Sequence, residues 1–446
     1  MWLTGTVPGA SFISPAANSA SQFNFIASDC IEIAMVLRPA ARHRASIADL
    51  VQCRRTRAGK GFARCTRQFS QSRPSTPIPQ FAFAFDIDGV LLRSSKPIPG
   101  AQKALSHLQK YKIPFIFLTN GGGKHESDRV AELSEKLQIS LDPSMFVQSH
   151  TPFANMVDGR GLGGLRLRDK CVLVVGGEGN KCRDVAERYG FQNVVTPGDI
   201  FAASPSIWPF SNVFSSYYES FAKPLPRPID PKDPSRSLKI DAIMVFNDPR
   251  DWALDTQVIL DLLMSSNGVL GTMSSKNNNP ELPNRGFQGD GQPALYFSNP
   301  DLWWAAEYPL PRLGQGGFRE AFEGVWAAAT GGPTQGVELK KTIIGKPYQG
   351  TYEFAEHMLN SHRTAIFPGG DAGKLSEVFM VGDNPHSDIQ GANDYKSPWG
   401  SSWTSMLVRT GIYTGGKPSV QPKLIVDDVW DAVRAGLMKA GWDVPT

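Results

Sequence analysis

Cysteine is scarce in this chain, with five in 446 residues, and three of them (Cys30, Cys53, Cys65) fall in the first 75 positions. The remaining pair, Cys171 and Cys182, lacks CxxC spacing, which argues against a disulfide framework or a zinc site and fits a reducing compartment. No stretch reaches 18 apolar residues free of charge; the longest candidate, Phe23 to Leu37, is broken by Asp29 and Glu32, so no transmembrane segment is predicted. No internal repeat is present. Lys and Arg are absent from Met1 to Leu37, whereas acids are nearly absent from Arg38 to Arg73.

That second imbalance sets the charge. Up to Pro74 the chain carries ten Lys and Arg against three acids, a net of +7, which leaves the rest at −3 of the overall +4. A slightly acidic body argues against a nucleic-acid partner, which needs a basic face on the folded domain. The Arg- and Ser-rich leader has the composition of a mitochondrial presequence, and Arg67-Gln68-Phe69-Ser70 resembles a matrix-protease cleavage pattern. A presequence should be basic from its start, so Met35 is the expected first residue. A disordered basic tail without an address is the alternative.

What is abundant is turn-forming residue, 43 Gly and 34 Pro, in a chain 41% hydrophobic and 20% charged, the balance of a globular protein with long connections. Phe81 to Phe85 reads as a buried strand, Gly100 to Tyr111 as a helix and Pro114 to Leu118 as a second strand; a βαβ unit predicts a parallel sheet. A helix over His125 to Leu137 and a strand over Met145 to Gln148 come next. A fresh α/β series starts at Val172 to Val175, with a helix from Lys181 to Tyr189, a strand over Ala242 to Phe246, a helix from Trp252 to Met264 and a strand from Leu295 to Ser298. Two Pro-, Ser-, Asn- and Gly-rich stretches, 205–238 and 274–292, are expected as surface loops.

From Phe318 the pattern returns to helix. The run Ile343-Ile344, a helix to Leu359, strands over Val378 to Val381 and Met406 to Val408, and a helix from Val429 to Ala440 are expected to complete the first sheet. The predicted organisation is a leader over 1–75, a Rossmann-like α/β parallel-sheet core over 76–165, an inserted α/β domain over 166–305, and the rest of the core over 306–446.

Four short groups lie just after apolar strands, where open α/β sheets bind ligands. In Asp86-Ile87-Asp88-Gly89 the alternating backbone sends both carboxylates out together, able to share a divalent cation and to divide nucleophile from proton carrier. Alone, a solvated turn or a calcium loop presents the same residues. Thr119-Asn120-Gly121-Gly122-Gly123 offers a hydroxyl and free N–H groups to phosphate oxygens, although a glycine turn also explains it. Lys346, in Gly345-Lys346-Pro347, could balance phosphate and aspartate charge in the transition state, although an ordinary surface lysine presents the same residues. Gly382-Asp383-Asn384-Pro385-His386-Ser387-Asp388 supplies further acids at a strand end, oxygen donors of the kind magnesium prefers.

In this order the four groups resemble the motifs of the haloacid-dehalogenase superfamily. The inserted domain between the second and third, opened by Val174-Val175-Gly176-Gly177 and closed by Ser298-Asn299-Pro300-Asp301, looks like the cap of subfamily IIA. The run from Tyr296 to Trp303, with Glu307-Tyr308-Pro309 and Arg312 to Gly316, is similar to the cat-eye-syndrome critical region protein five-like branch. Its members are commonly mitochondrial, and in fungi it is associated by similarity with glycerophospholipid metabolism.

The resemblance implies a magnesium-dependent phosphatase working through an aspartyl-phosphate. Asp86 would be nucleophile and Asp88 acid and base; Thr119, Asn120 and Lys346 would hold the phosphoryl group. Mg2+ would sit on Asp86, the Asp88 carbonyl and Asp383, with Asp388 on it or behind it. Gly121, Gly122, Asn299 and Asp301 would face the cap, which selects a small-molecule or lipid-derived phosphate ester. A homodimer paired through its caps is expected of relatives. Trp303, Trp304 and Trp326 are expected in the core. A scaffold on the same fold and a phosphotransferase remain the competing readings.

Overall fold

The computed structural model describes residues 78–161, 164–304, 308, 310–368 and 373–443. The leader, Met35 and the three N-terminal cysteines lie outside them. Among the described residues no helix is long and apolar enough to cross a membrane.

The first sheet is wholly parallel and has six strands, in the spatial order Leu424–Val426, Ser402–Val408, Glu377–Gly382, Phe81–Phe85, Phe115–Leu118, Phe146–Val147. Its central strand, Phe-Ala-Phe-Ala-Phe, is buried throughout, as a parallel strand with helices on both faces must be. The alternation sorts its side chains. Phe81, Phe83 and Phe85 enter the layer filled by the helices Ala101–Lys110 and Val429–Lys439. Ala82 and Ala84 face the helix Gln349–Ile366, whose Tyr352 and Leu359 occupy the room that the small residues leave.

A second parallel sheet, in the order Thr342–Ile343, Ala294–Phe297, Ala242–Val245, Cys171–Val175, Asn193–Val195, forms the inserted unit. Its core takes in Phe318, Phe322 and Trp326 of the helix Gln315–Thr330. The expected boundary at 305 is therefore corrected. The strand Thr342–Ile343 pairs with Tyr296 and Phe297 rather than with the first sheet, so the insertion runs on to about Ile344.

Two other expectations change. The stretches 205–238 and 274–292 are not wholly loop: short helical turns cover Pro205–Ile207, Pro209–Phe214, Ser215–Glu219 and Pro283–Gly286, while Tyr218, Leu238 and Phe287 are buried in the second core. Of the three tryptophans expected inside, only Trp326 is; Trp303 and Trp304 are half exposed on a short antiparallel hairpin with Arg312–Leu313.

Candidate active site

Register aligns the chemistry. Phe85 pairs with Val381 on one side and with Phe117 on the other, so the next residue, Asp86, is level with Gly382 and Leu118, one position before Asp383 and Thr119. Three adjacent strand ends thus deliver Asp86, Asp383 and Thr119 to one place.

Asp86, Asp383 and Asp388 are all buried, with carboxylate oxygens within 4.8 Å of one another. Lys346 Nζ lies 2.7 Å from Asp86 Oδ1 and 2.6 Å from Asp388 Oδ1. Asp388 Oδ2 accepts the backbone N–H groups of Asp383 and Asn384, both at 3.0 Å. Asp383 Oδ2 accepts from the amide of Ile412 at 2.6 Å. Room for Asp383 comes from glycine: a Cβ on Gly411 would stand 1.9 Å from its Oδ2, and one on Gly89, which also has φ +87°, would stand 2.3 Å away.

The electrostatics reflect the count of charges. Burial pushes Asp86 up to about 7, with Lys346 pulling it down and Asp388 and Asp88 adding repulsion. Burial and then the charges of Asp86 and Asp388 drive Asp383 well above the carboxylate range. Burial opposes charge on Lys346 too, but Asp388 and Asp86 outweigh it and keep the ammonium protonated.

On the other wall, Thr119 Oγ1 accepts from the amide of Gly121 at 3.0 Å. The Asn120 side chain ties three segments together: Nδ2 donates to Asp301 Oδ2 (3.0 Å) and to the Lys346 carbonyl (2.9 Å), and Oδ1 accepts from the Lys346 amide (2.7 Å). Asn299 turns the chain toward Asp301, whose amide donates to Asn299 Oδ1 at 2.8 Å. Burial raises Asp301 to about 6 despite the bond from Asn120. Asp88 is exposed, with Oδ2 on the Gly121 side of the opening.

A cleft of about 560 Å³ joins these parts. Asp86, Asp88, Thr119, Asn120, Gly121, Gly122, Asn299, Asp301 and Lys346 all line it, whereas Asp383 and Asp388 stand behind its floor. One expectation about delivery is corrected: Lys346 comes after the edge strand of the second sheet, not a strand of the first. His386 points elsewhere, with Nε2 3.0 Å from Ser419 Oγ. The cleft also has walls that the motifs did not announce: Lys124 and Arg129 on one side, Asn247, Asp248, Arg250, Trp304 and Arg312 on the other.

A buried polar chain behind the glycine loop was equally unannounced. Gly123 N donates to His150 Nε2 at 3.1 Å, which places the ring proton on Nδ1, 2.8 Å from Tyr189 Oη. Tyr189 in turn donates to Glu126 Oε1, which also receives Thr151 Oγ1. The chain links the glycine loop to a helix of the inserted unit and is satisfied only by a neutral imidazole. Burial lowers His150 from 6.5 to about 4. Between those values the unfolded chain takes a proton that the folded one refuses, so stability is full above the upper value and falls as pH drops toward the lower, by about 3 kcal/mol. We expect urea-unfolding midpoints to fall between about pH 7 and about pH 5, and His150→Gln to flatten that fall. An unchanged slope in the variant would remove the assignment.

Comparison with known proteins places the chain. A model of haloacid dehalogenase-like hydrolases matches residues 83–192, and one described as HAD-hydrolase-like matches 343–432. A mitochondrial hydrolase of Saccharomyces cerevisiae is 38% identical over 383 residues, covering 81% of this chain and 96% of its own length. A cardiolipin synthase (CMP-forming)/mitochondrial hydrolase fusion protein of Schizosaccharomyces pombe is 42% identical over 388 residues; the alignment covers 86% of this chain but 58% of that protein. Among solved structures, a hypothetical protein of Pyrococcus horikoshii aligns over 80% of this chain and 99% of its own, with 19% identity and a TM-score of 0.48.

Proposed function

Because the chain belongs to the haloacid dehalogenase-like hydrolases, we propose that it is a magnesium-dependent phosphatase of subfamily IIA that hydrolyses a phosphomonoester through Asp86. The observation that carries this reading is a charge imbalance beside an open cleft. Asp86, Asp383 and Asp388 bring three buried carboxylates against the single ammonium of Lys346, and full ionisation leaves a deficit that one divalent cation would cancel.

The donors are all oxygen, which suits magnesium over zinc or copper. Asp86, the Asp88 carbonyl and Asp383 would hold the ion, with Asp388 fixing Lys346 and the loop behind them. When bound it supplies positive charge to the phosphoryl oxygens. The Asp86 carboxylate attacks phosphorus, forming the aspartyl-phosphate as the ester P–O bond breaks. Asp88, exposed at the opening, gives a proton to the departing alkoxide. It then takes one from the water that cleaves the acyl phosphate, and inorganic phosphate leaves. Lys346, Thr119 and the backbone N–H of Asn120 hold the phosphoryl oxygens, since a loose transition state needs mainly positioning and neutralisation. The second sheet acts as the cap that excludes other water.

Subfamily IIA is supported by the place of the insertion, between Thr119–Asn120 and Lys346. Relatives named as mitochondrial hydrolases support a mitochondrial address, and the basic leader supports the matrix. Fusion of one relative to a cardiolipin synthase supports a lipid-derived ester within glycerophospholipid synthesis. Intact acids disfavour a scaffold; a phosphotransferase would reveal itself by phosphorylated glycerol among the products.

A panel of phosphate esters with and without magnesium tests the reading, and the absence of hydrolysis across the panel would end it. A finer test uses the glycine cradle. Gly411→Ala pushes on Asp383 without altering any donor, and should raise the magnesium concentration for half-maximal activity by about tenfold or more. An unchanged requirement would take Asp383 out of the metal site.

A further inference from the structure

The inserted unit has a crevice of its own. In its sheet the chain runs from Cys171–Val175 out to the edge strand Asn193–Val195 and returns to Ala242–Val245 on the other side, all three parallel. Where the course of the chain reverses in this way, the loops beyond the carboxyl ends part, and open α/β sheets take ligands in that gap. A hollow of about 50 Å³ lies there, bordered by all three loops: by Gly176, Gly177 and Gly179 after the first strand, by Thr196 after the second, and by Arg250 and Asp251 after the third. Roughly 10–15 Å³ is the least that admits one water, so the hollow has room for a group of a few heavy atoms and not for a nucleotide or a peptide.

Arg183, in the first turn of the helix Lys181–Tyr189, forms part of the wall and is wholly buried. Its Nη2 donates to Asp199 Oδ1 at 2.5 Å and to Thr196 Oγ1 at 3.1 Å, but among the described residues its Nε and Nη1 meet no acceptor. Buried donors on a charged group are costly to leave unmade, and folded proteins rarely do so. The acids nearby are already engaged or neutral. Asp199 also accepts from the amides of Lys223 and Thr196, both at 2.7 Å. Asp251 accepts from the Leu254 amide at 3.1 Å and from Tyr218 Oη at 2.8 Å. Asp255, which borders the hollow, is held well above the carboxylate range by burial first and then by the charge of Asp251, and so presents a neutral carboxyl that can donate. Arg250 stands between the hollow and the cleft and adds a second guanidinium to both.

We propose that this hollow is a second binding site, for a phosphate group, with Arg183 as its anchor. The unmet groups are donors on a guanidinium, which excludes a metal ion and favours an oxyanion over water, since charge-assisted bonds to phosphate are the stronger. Phosphate, with four oxygens, can meet Arg183, Asp255 and Arg250 together, where a carboxylate has only two to offer. The site is independent of the phosphatase reading, because Arg183 and Asp255 lie outside the lining of the cleft.

The test is titration calorimetry of the full chain with inorganic phosphate, chelator present. Wild type should show saturable binding, and Arg183→Lys, which keeps a charge for Asp199 but loses the planar fork, should weaken it about tenfold or more. Phosphate held in the cleft would be indifferent to this substitution, so equal affinity in the variant overturns the proposal, as does the absence of binding by wild type. The same comparison with glycerol phosphate tells the head of a metabolite from the free ion. A second experiment needs no variant: wild-type crystals grown with tungstate, a tetrahedral analogue whose metal is located by anomalous scattering. A tungsten peak beside Arg183 supports the site; tungsten in the cleft alone, with ordered waters on Nε and Nη1, overturns it. Failure of every ester to be hydrolysed would end the phosphatase reading and leave this site standing.

Discussion

Asp86→Asn should lower turnover of nitrophenyl phosphate by about 10⁴-fold or more, the order seen when a covalent nucleophile is removed. The substitution keeps size and a hydrogen-bonding oxygen for Lys346 but cannot form an acyl phosphate. Folding should not suffer. Asp86 is buried and pushed up to about 7 chiefly by that burial, so the neutral amide relieves repulsion with Asp383 and Asp388. A gain of about 1 kcal/mol in the metal-free protein is expected, as is common where catalytic charge is deleted. Lost activity with retained or raised stability separates chemistry from structure; retained activity would require another nucleophile. Asp88→Asn provides the complement. It should leave attack possible and slow release, so that acid-stable labelling of the protein by radioactive ester accumulates only when Asp86 is intact.

Lys346→Met should have the second large effect, and it divides into two parts. Removing the ammonium leaves three buried carboxylates without a positive partner, which costs about 3–5 kcal/mol in the absence of divalent ions. Magnesium should restore part of this, by about 2.7 kcal/mol at a hundredfold excess over its dissociation constant. Turnover should still fall by about 10²–10³-fold, because the charge that faces the transition state is gone. Urea unfolding with chelator and with magnesium measures the first part, and steady-state rates measure the second. If chelator and magnesium give the variant the same midpoint, the three carboxylates do not hold a cation.

The strand ends were legible because the physics there is local. Phe-Ala-Phe-Ala-Phe can only be a covered strand, and the residues just past a covered parallel strand emerge at the edge where ligands bind; Asp86, Thr119 and Asp383 were located on that ground. The extent of the inserted unit was not legible. Thr342–Ile343 is too short to show a period, and the helix Gln315–Thr330 presents an apolar side that either sheet could have received. Trp303 and Trp304 read as core since large aromatics are mostly covered; only the fold shows that they stay half exposed. Arg129, Arg250 and Arg312 come from three distant segments and share no motif, so their meeting on one cleft is a property of topology alone. His150 carried no pattern either: its meaning lies in Tyr189 and Glu126, partners that the fold alone brings to it.

Lys346 hangs from the last strand of the second sheet, wedged where a Cβ on Gly345 would strike Pro300 and Asn120, and reaches across to carboxylates rooted in the first. Its backbone is clasped through both N–H and carbonyl by Asn120, which follows the first sheet's strand Phe115–Leu118. The segment that joins the two sheets is thus the one that carries the ammonium to Asp86 and Asp388, and any substitution that displaces this junction also disturbs the charge balance of the carboxylate cluster.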